Sequence, residues 1–365
     1  PEGTVMKRPT TLRCWTICII GLLFSGMTAV GAPGDLLVSA RFGNNILRFA
    51  AGTGAPAGQF NNGGGLSNPS GLAFGPGGSL YVGNFNTDQV LLYAADGTYL
   101  GVVVSNSSAL GFGKPLALTF GPDGNLYVTG NTTAGVYRYT FATGNFAKFT
   151  SGGPLVGVTG LVFMPGGDLL VSSASANRIL RYNGSTGVYI GPFGTGVILS
   201  NPTDLEIGSD GALYAASTVS NQIMRYDFST GAGAVFIGSG LSSPIGLAFD
   251  RSGNLYVANQ GANNILWFTA AGAPLGVFVP AGSGGLNGPD YFAFEPIPTC
   301  ATCAGDLSGD SNRSGADIQA FVGCLKNPPL ATACACADMN HDGALDASDV
   351  DAFVQVLLNG PAGCS

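Results

Sequence analysis

Two stretches near the C-terminal end place oxygen-bearing side chains at a spacing suited to wrapping a hard cation. The first carries Asp306, Ser308, Asp310, Asn312, Ser314 and Asp317; the second carries Asp338, Asn340, Asp342, Ala344, Asp346 and Asp349. Each is a twelve-residue loop whose positions 1, 3, 5, 9 and 12 offer side-chain oxygens, with a main-chain carbonyl at position 7 from Asn312 or Ala344. So many protein oxygens suit calcium better than magnesium, which keeps its waters. Gly343 supplies the sharp turn at position 6 of the second loop, where the first has Ser311. The first loop is therefore expected to bind more weakly.

An ion cradle needs elements to hold it. The position-12 aspartates lead into Ile318, Phe321, Val322 and Leu325, and into Val350, Phe353, Val354 and Leu357, both at helical spacing. Six cysteines (Cys300, Cys303, Cys324, Cys334, Cys336 and Cys364) all fall within this segment. An even number in a small exported module reads as a disulfide framework, because a domain this short buries little core. Export is expected from the other end. Lys7, Arg8 and Arg13 precede an apolar run from Cys14 to Phe24 and a small-residue stretch ending at Ala32, after a start at Met6. Residues 1–32 thus read as a signal peptide, leaving no membrane segment after cleavage.

Between these ends the chain repeats. Leu72-Ala73-Phe74, Leu118-Thr119-Phe120, Leu161-Val162-Phe163, Leu205-Glu206-Ile207, Leu247-Ala248-Phe249 and Phe292-Ala293-Phe294 recur at intervals of 42 to 46 residues. After each of the first five come a glycine-containing turn and a second strand, such as Leu80-Tyr81-Val82 or Leu126-Tyr127-Val128. A third strand ending in an aromatic and a short fourth strand complete the unit. Four strands per period of this length make a propeller blade. The sixth unit has only its first strand, while Leu36 to Val38 and Asn45 to Phe49 stand alone at the other end. The expectation is an all-β six-bladed β-propeller over residues 33–298, closed by strands from both ends, followed by a small all-α EF-hand-like domain over 299–365.

The blade motifs P-x-G-L-x-F, D-G-x-L-Y-V and N-x-I-x-x-Y resemble those of NHL-type and gluconolactonase-like (SMP-30 family) propellers. The two acidic loops, each followed by D-[IV]-x-A-F-V, resemble a type I dockerin. The first resemblance implies a divalent metal at the channel mouth, held by carboxylates and an amide. Asp290 in Gly288-Pro289-Asp290 matches that family's aspartate, and Asp204 lies one position later in another first strand. Asn84, Asn131 and Asn259, after second strands, are further mouth candidates; the family's own asparagine ligand has no match. The second resemblance implies docking onto a cohesin-like or cell-surface partner. Its usual Ser-Thr contact pair is replaced by Gly315-Ala316 and Ala347-Ser348.

Composition removes several functions. Charged residues make up 10% of the chain and acids outnumber bases, 21 to 14, which argues against a nucleic-acid partner. The one histidine, His341, lies in the tail, so the propeller has no His base, His-ligated zinc or Ser-His-Asp triad. Gly63 to Gly65 and Gly282 to Gly285 read as blade connections, since no phosphate-loop lysine follows them. The sequence thus points to a secreted monomer: a ligand- or protein-binding propeller with a two-calcium attachment module serving an extracellular or polysaccharide-degrading assembly. The alternative is a metal-dependent lactonase or hydrolase using Asp204 and Asp290.

Overall fold

The structure is a computed structural model that describes residues 34–105 and 108–296, together with helical positions 318, 321, 322, 349–351, 353 and 354. The signal segment, all six tail cysteines, and Asp306, Ser308, Asp310, Asn312, Asp317, Asp338, Asn340, Asp342, Ala344 and Asp346 lie outside the described residues. So does most of the expected all-α domain.

Six four-stranded antiparallel sheets form the blades. Their innermost strands are Pro69–Phe74, Pro115–Phe120, Val158–Phe163, Pro202–Ile207, Pro244–Phe249 and Pro289–Phe294, which open blades 1 to 6 in that order. Blade 6 is the composite expected from the sequence. Pro289–Phe294 pairs with Leu36–Ala40, which pairs with Asn45–Phe49, which pairs with Pro56–Gln59. The last of these was not legible: a four-residue Pro-Ala-Gly-Gln edge, largely exposed, has no apolar alternation to mark it.

The repeated motifs work across blade boundaries. The tyrosine of one second strand meets the phenylalanine of the next innermost strand edge-on, as in Tyr81–Phe120 at 5.3 Å, Tyr127–Phe163 at 4.8 Å, Tyr214–Phe249 at 4.8 Å and Tyr256–Phe294 at 5.4 Å. Each such pair contributes roughly 0.5–1.5 kcal/mol beyond area burial. This is why L-Y-V and L-x-F recur together: one motif seals the gap that the other opens. It also accounts for these aromatics as blade core.

Every innermost strand carries a bulge at its second and third residues, where three of its residues span two on the neighbouring strand. Third positions alternate around the ring: Gly71, Ala117, Gly160, Asp204, Gly246, Tyr291. A Cβ at any of the three glycines would run into the backbone of the next blade, so the glycines let the strands close up around the axis. Tyr291 of blade 6 shares a buried cluster with Ala117 of blade 2 and Ile245 of blade 5, so its ring fills the centre.

Phe321 and Phe353, the equivalent residues of the two tail motifs, are both buried, and their rings stack at 4.2 Å with planes 2° apart. Asp349, at position 12 of the second loop, is helical and fully buried.

Candidate functional site

The mouth is the end of the ring where the innermost strands begin. The residue before each of them is left-handed: Asn68, Lys114, Gly157, Asn201, Ser243 and Gly288, with φ between 47° and 65°. At five of the six boundaries, an Asn or Asp from the previous blade's turn accepts that residue's backbone N–H. The pairs are Asn44 with Asn68 (2.7 Å), Asp88 with Lys114 (2.8 Å), Asn177 with Asn201 (2.7 Å), Asn221 with Ser243 (2.7 Å) and Asn263 with Gly288 (2.7 Å). The sixth boundary has Ala134 at the equivalent turn position and no such bond. These clasps were missed in the sequence, although their signal is visible there: an Asn or Asp 22 to 26 residues before the residue that leads into each innermost strand.

The mouth asparagines serve the loops. The Asn84 side chain accepts from Ser67 N–H at 2.6 Å and donates to Thr87 Oγ1 at 2.7 Å. Asn259 accepts from Ser242 N–H at 2.5 Å and donates to Asn264 Oδ1 at 2.8 Å. Asn131 sits in its turn with its own N–H bonded to the Lys114 carbonyl. At the second bulge position, Ser70 and Thr159 donate their hydroxyls to the Pro115 and Pro202 carbonyls, at 2.7 and 2.8 Å. Thr203 donates to the Ile245 carbonyl at 3.1 Å.

Asp290 takes the position of those hydroxyls and Asp204 the next one, so both candidate carboxylates lie where the sequence placed them. Their surroundings differ from a metal site. Asp204 accepts Leu205 N–H with one oxygen and Leu247 N–H, from the next blade, with the other, both at 2.9 Å. Burial pushes its carboxyl up to about 7, helped by the charge of Asp290 and opposed by the two amides. Asp290 is completely buried and neither oxygen has a hydrogen-bond partner; its nearest cation is Arg41, with Nη1 at 3.5 Å from Oδ2. Burial pushes it up to about 6 against the pull of Arg41. Glu206, two residues beyond Asp204 and partly open, is pushed up to about 8 by burial and by Asp204.

A divalent ion needs several oxygens with free lone pairs converging on one point. Each Asp204 oxygen already accepts one backbone amide, and the two Asp290 oxygens, which have no hydrogen-bond partner, face a guanidinium that would repel a divalent ion. Among the described residues no three acidic, His or Cys side chains gather as a metal-ligating group. The residues present do not fit the metal that the resemblance implies.

They do fit a stability that falls as pH rises. Asp204 and Asp290 have folded values above the unfolded 3.8, so the folded chain holds the extra protons between the two. The added stability is complete below the unfolded value and is lost as pH rises through about 6 for Asp290 and about 7 for Asp204. With calcium saturating, the Tm at pH 8 is expected to lie below that at pH 5. Asp290→Asn should flatten the slope by about 3 kcal/mol or less. A Tm that rises steadily from pH 5 to pH 8 contradicts the assignment.

Sequence reading also missed Arg41. Its Nε donates to Asn68 Oδ1 at 2.5 Å, and its guanidinium lies 4.7 Å from the ring centre of Phe85. Lys114 Nζ rests on the same ring at 5.0 Å. Subtraction would have found these cations. Arg138, Arg181 and Arg225 pair with the turn aspartates Asp123, Asp168 and Asp210, and Arg48 pairs with Glu295, which leaves Arg41, Lys114, Lys148, Arg178 and Arg251 in the propeller.

These features define a closed six-bladed propeller with a packed centre. Its shape is similar to that of a chain in a nidogen/laminin complex, at 15% identity and TM-score 0.58 over 72% of this chain and 98% of that one. It is also similar to a protein of unknown function from Bacteroides caccae, at 12% identity and TM-score 0.57 over 72% and 99%. A third similar structure is a putative gluconolactonase, at 16% identity and TM-score 0.55 over 68% and 89%. At such identities the likeness is one of fold. No family model matches the chain, and no curated protein matches it. Among the described residues no helix is long and apolar enough to cross a membrane.

Proposed function

We propose that this chain is an exported recognition protein whose propeller binds a ligand or partner without catalysis, and whose tail is a calcium-dependent attachment module. The observation that carries the tail reading is the parallel stacking of Phe321 on Phe353. Contact between the same residue of two copies of one motif is what a pair of such ion loops related by a local two-fold would give. The burial of Asp349 at position 12 supports it further. Calcium would be held by Asp306, Ser308, Asp310, Asn312 and Asp317 in one loop. The other would use Asp338, Asn340, Asp342, the Ala344 carbonyl, Asp346 and Asp349. A cohesin-like or cell-surface protein is the proposed partner of this dockerin-like module, outside the cell and with no nucleic acid or membrane involved.

The binding reading of the propeller rests on Asp204 being tied to two backbone amides and on the cation that faces Asp290. A lactonase of the gluconolactonase type shares the fold, but Asp204 and Asp290 leave it no set of free ligands. Chelation is the test. Adding EDTA to the full chain should remove the tail's helical circular dichroism and leave the propeller's β signal and melting intact, since ligand binding and folding are coupled in so small a module. A spectrum unchanged by EDTA and by calcium would refute the tail reading. Gluconolactone hydrolysis that disappears in Asp290→Ala would refute the non-catalytic propeller.

A further inference from the structure

We propose that the propeller mouth holds an oxyanion-binding site formed by Arg41 and Lys114 around Phe85. The inference rests on the reading of the propeller as a binding module and is independent of calcium in the tail.

Three observations carry it. First, both cations rest on one aromatic ring at the mouth, so a ligand lying beside that ring meets two positive charges at once. Lys114 has no ion pair among the described residues, and Arg41 meets Asp290 only at 3.5 Å with no hydrogen bond between them. Second, Arg41 is held in place by Asn68 and Phe85 rather than by its counter-ion. That leaves Nη2 without a hydrogen bond and free to form a charge-assisted one with a ligand. Third, the two ends of the ring differ in charge. The mouth end carries Arg41, Lys114, Lys148 and Arg178 against one solvent-reached carboxylate, Asp88. The turns at the opposite end carry Asp96, Asp123, Asp168, Asp210, Asp227 and Asp250, of which Asp123, Asp168 and Asp210 are paired with arginines and Asp250 is followed by Arg251. A chain with a net charge of −7 therefore presents a local positive pole where its innermost strands begin.

Asp290 is a positioning residue for this site. Its carboxyl faces the guanidinium at 3.5 Å from the buried side, and its own charge opposes an incoming anion. From the elements packed against it, the groups facing it are Arg41 on the adjoining turn, Asp204 of blade 4 and its neighbour Tyr291. The innermost strands of blades 5 and 1 contribute no titratable side chain. As Asp290 takes up a proton the mouth becomes more positive, so glucuronate, whose own charge is constant over this range, should bind more tightly as pH falls from 8 to 5.

The test is calorimetric titration of the full chain, with calcium present and at low ionic strength, using glucuronate and inorganic phosphate separately. Saturable binding is expected for at least one probe. It should weaken about tenfold or more in Lys114→Gln and in Arg41→Gln. Arg178→Gln, at the outer groove between blades 3 and 4, should weaken it far less than either, through the shared field of the mouth alone. Tighter binding of glucuronate assigns the site to carboxylates, and tighter binding of phosphate assigns it to phosphoryl groups. With glucuronate, Asp290→Asn should reduce the pH dependence while keeping the pH 5 affinity, the remainder coming from Asp204. Absence of saturable binding by both probes overturns the proposal, as does an equal loss in Arg178→Gln or a pH dependence unaltered in Asp290→Asn. Because circular dichroism with and without EDTA reads the tail alone, failure of the tail reading is distinguishable from failure of the anion site.

Discussion

Gly246→Val is expected to cost at least about 3 kcal/mol of stability, because the added side chain meets backbone on a neighbouring blade and has no flexible group to push aside. The nearest atoms to a Cβ at Gly246 are the carbonyl group of Asp290 and the Cα of Tyr291. Gly160 stands in the same relation to Thr203 and Asp204, and Gly71 to Leu116 and Ala117. Relief at any of them requires two innermost strands to separate, which breaks the ring at its narrowest circumference. Gly191→Val is the matched control, since a Cβ there has nothing within 4 Å. Thermal or denaturant unfolding should show a large loss for Gly246→Val and little change for Gly191→Val. Equal effects would mean that close packing at the axis does not limit the fold.

The second large effect is expected at Arg48. Its side chain is 2% exposed and its Nη2 donates to Glu295 Oε1 at 2.8 Å, while Nε reaches both carboxylate oxygens at 3.2 Å. The guanidinium also lies 5.3 Å from the ring centre of Phe60. This pair joins the third strand of blade 6 to the residue just past its innermost strand, which comes from the far end of the chain. Arg48→Met should cost about 3–5 kcal/mol, because Glu295 is left buried without its cation. Burial already raises the Glu295 carboxyl, with Arg48 opposing that rise, so the variant should become still more stable in acid relative to neutral pH. Pairing Arg48→Met with Glu295→Leu should recover much of the loss. Denaturant titration of the two single variants and the double variant measures this, and a fully additive double variant would contradict the coupling.

How much of this was legible follows from what each residue does locally. The blade count and the composite blade could be read because Leu-Tyr-Val and Leu-x-Phe are core residues at a fixed period. Asp204 and Asp290 stand out in the sequence as acids near the start of innermost strands, but their surroundings were hidden in the bulges. A bulge adds one residue without changing the apolar pattern, so no sequence signal says that Asp204 faces two backbone amides. Asn84 and Asn259 could be read two ways, since an amide at a strand end can bind a ligand or tie its own loop; the Ser67 and Ser242 N–H groups decide for the loop. Arg41 escaped notice because a lone arginine in a tight turn has no periodicity; its meaning comes from Phe85 and Lys114, which are distant in sequence.

The composite blade also bears on the order of events at the ribosome. Leu36–Ala40 needs Pro289–Phe294 as its second neighbour, and the Ser39 hydroxyl meets the Tyr291 backbone across 252 residues of sequence. Synthesis from the N-terminus makes three strands of that sheet first and leaves one open side waiting while five complete blades emerge. Until the last strand arrives, the nascent chain offers an unpaired template to any other extended segment. Its most hazardous interval is therefore the time taken to translate its own middle.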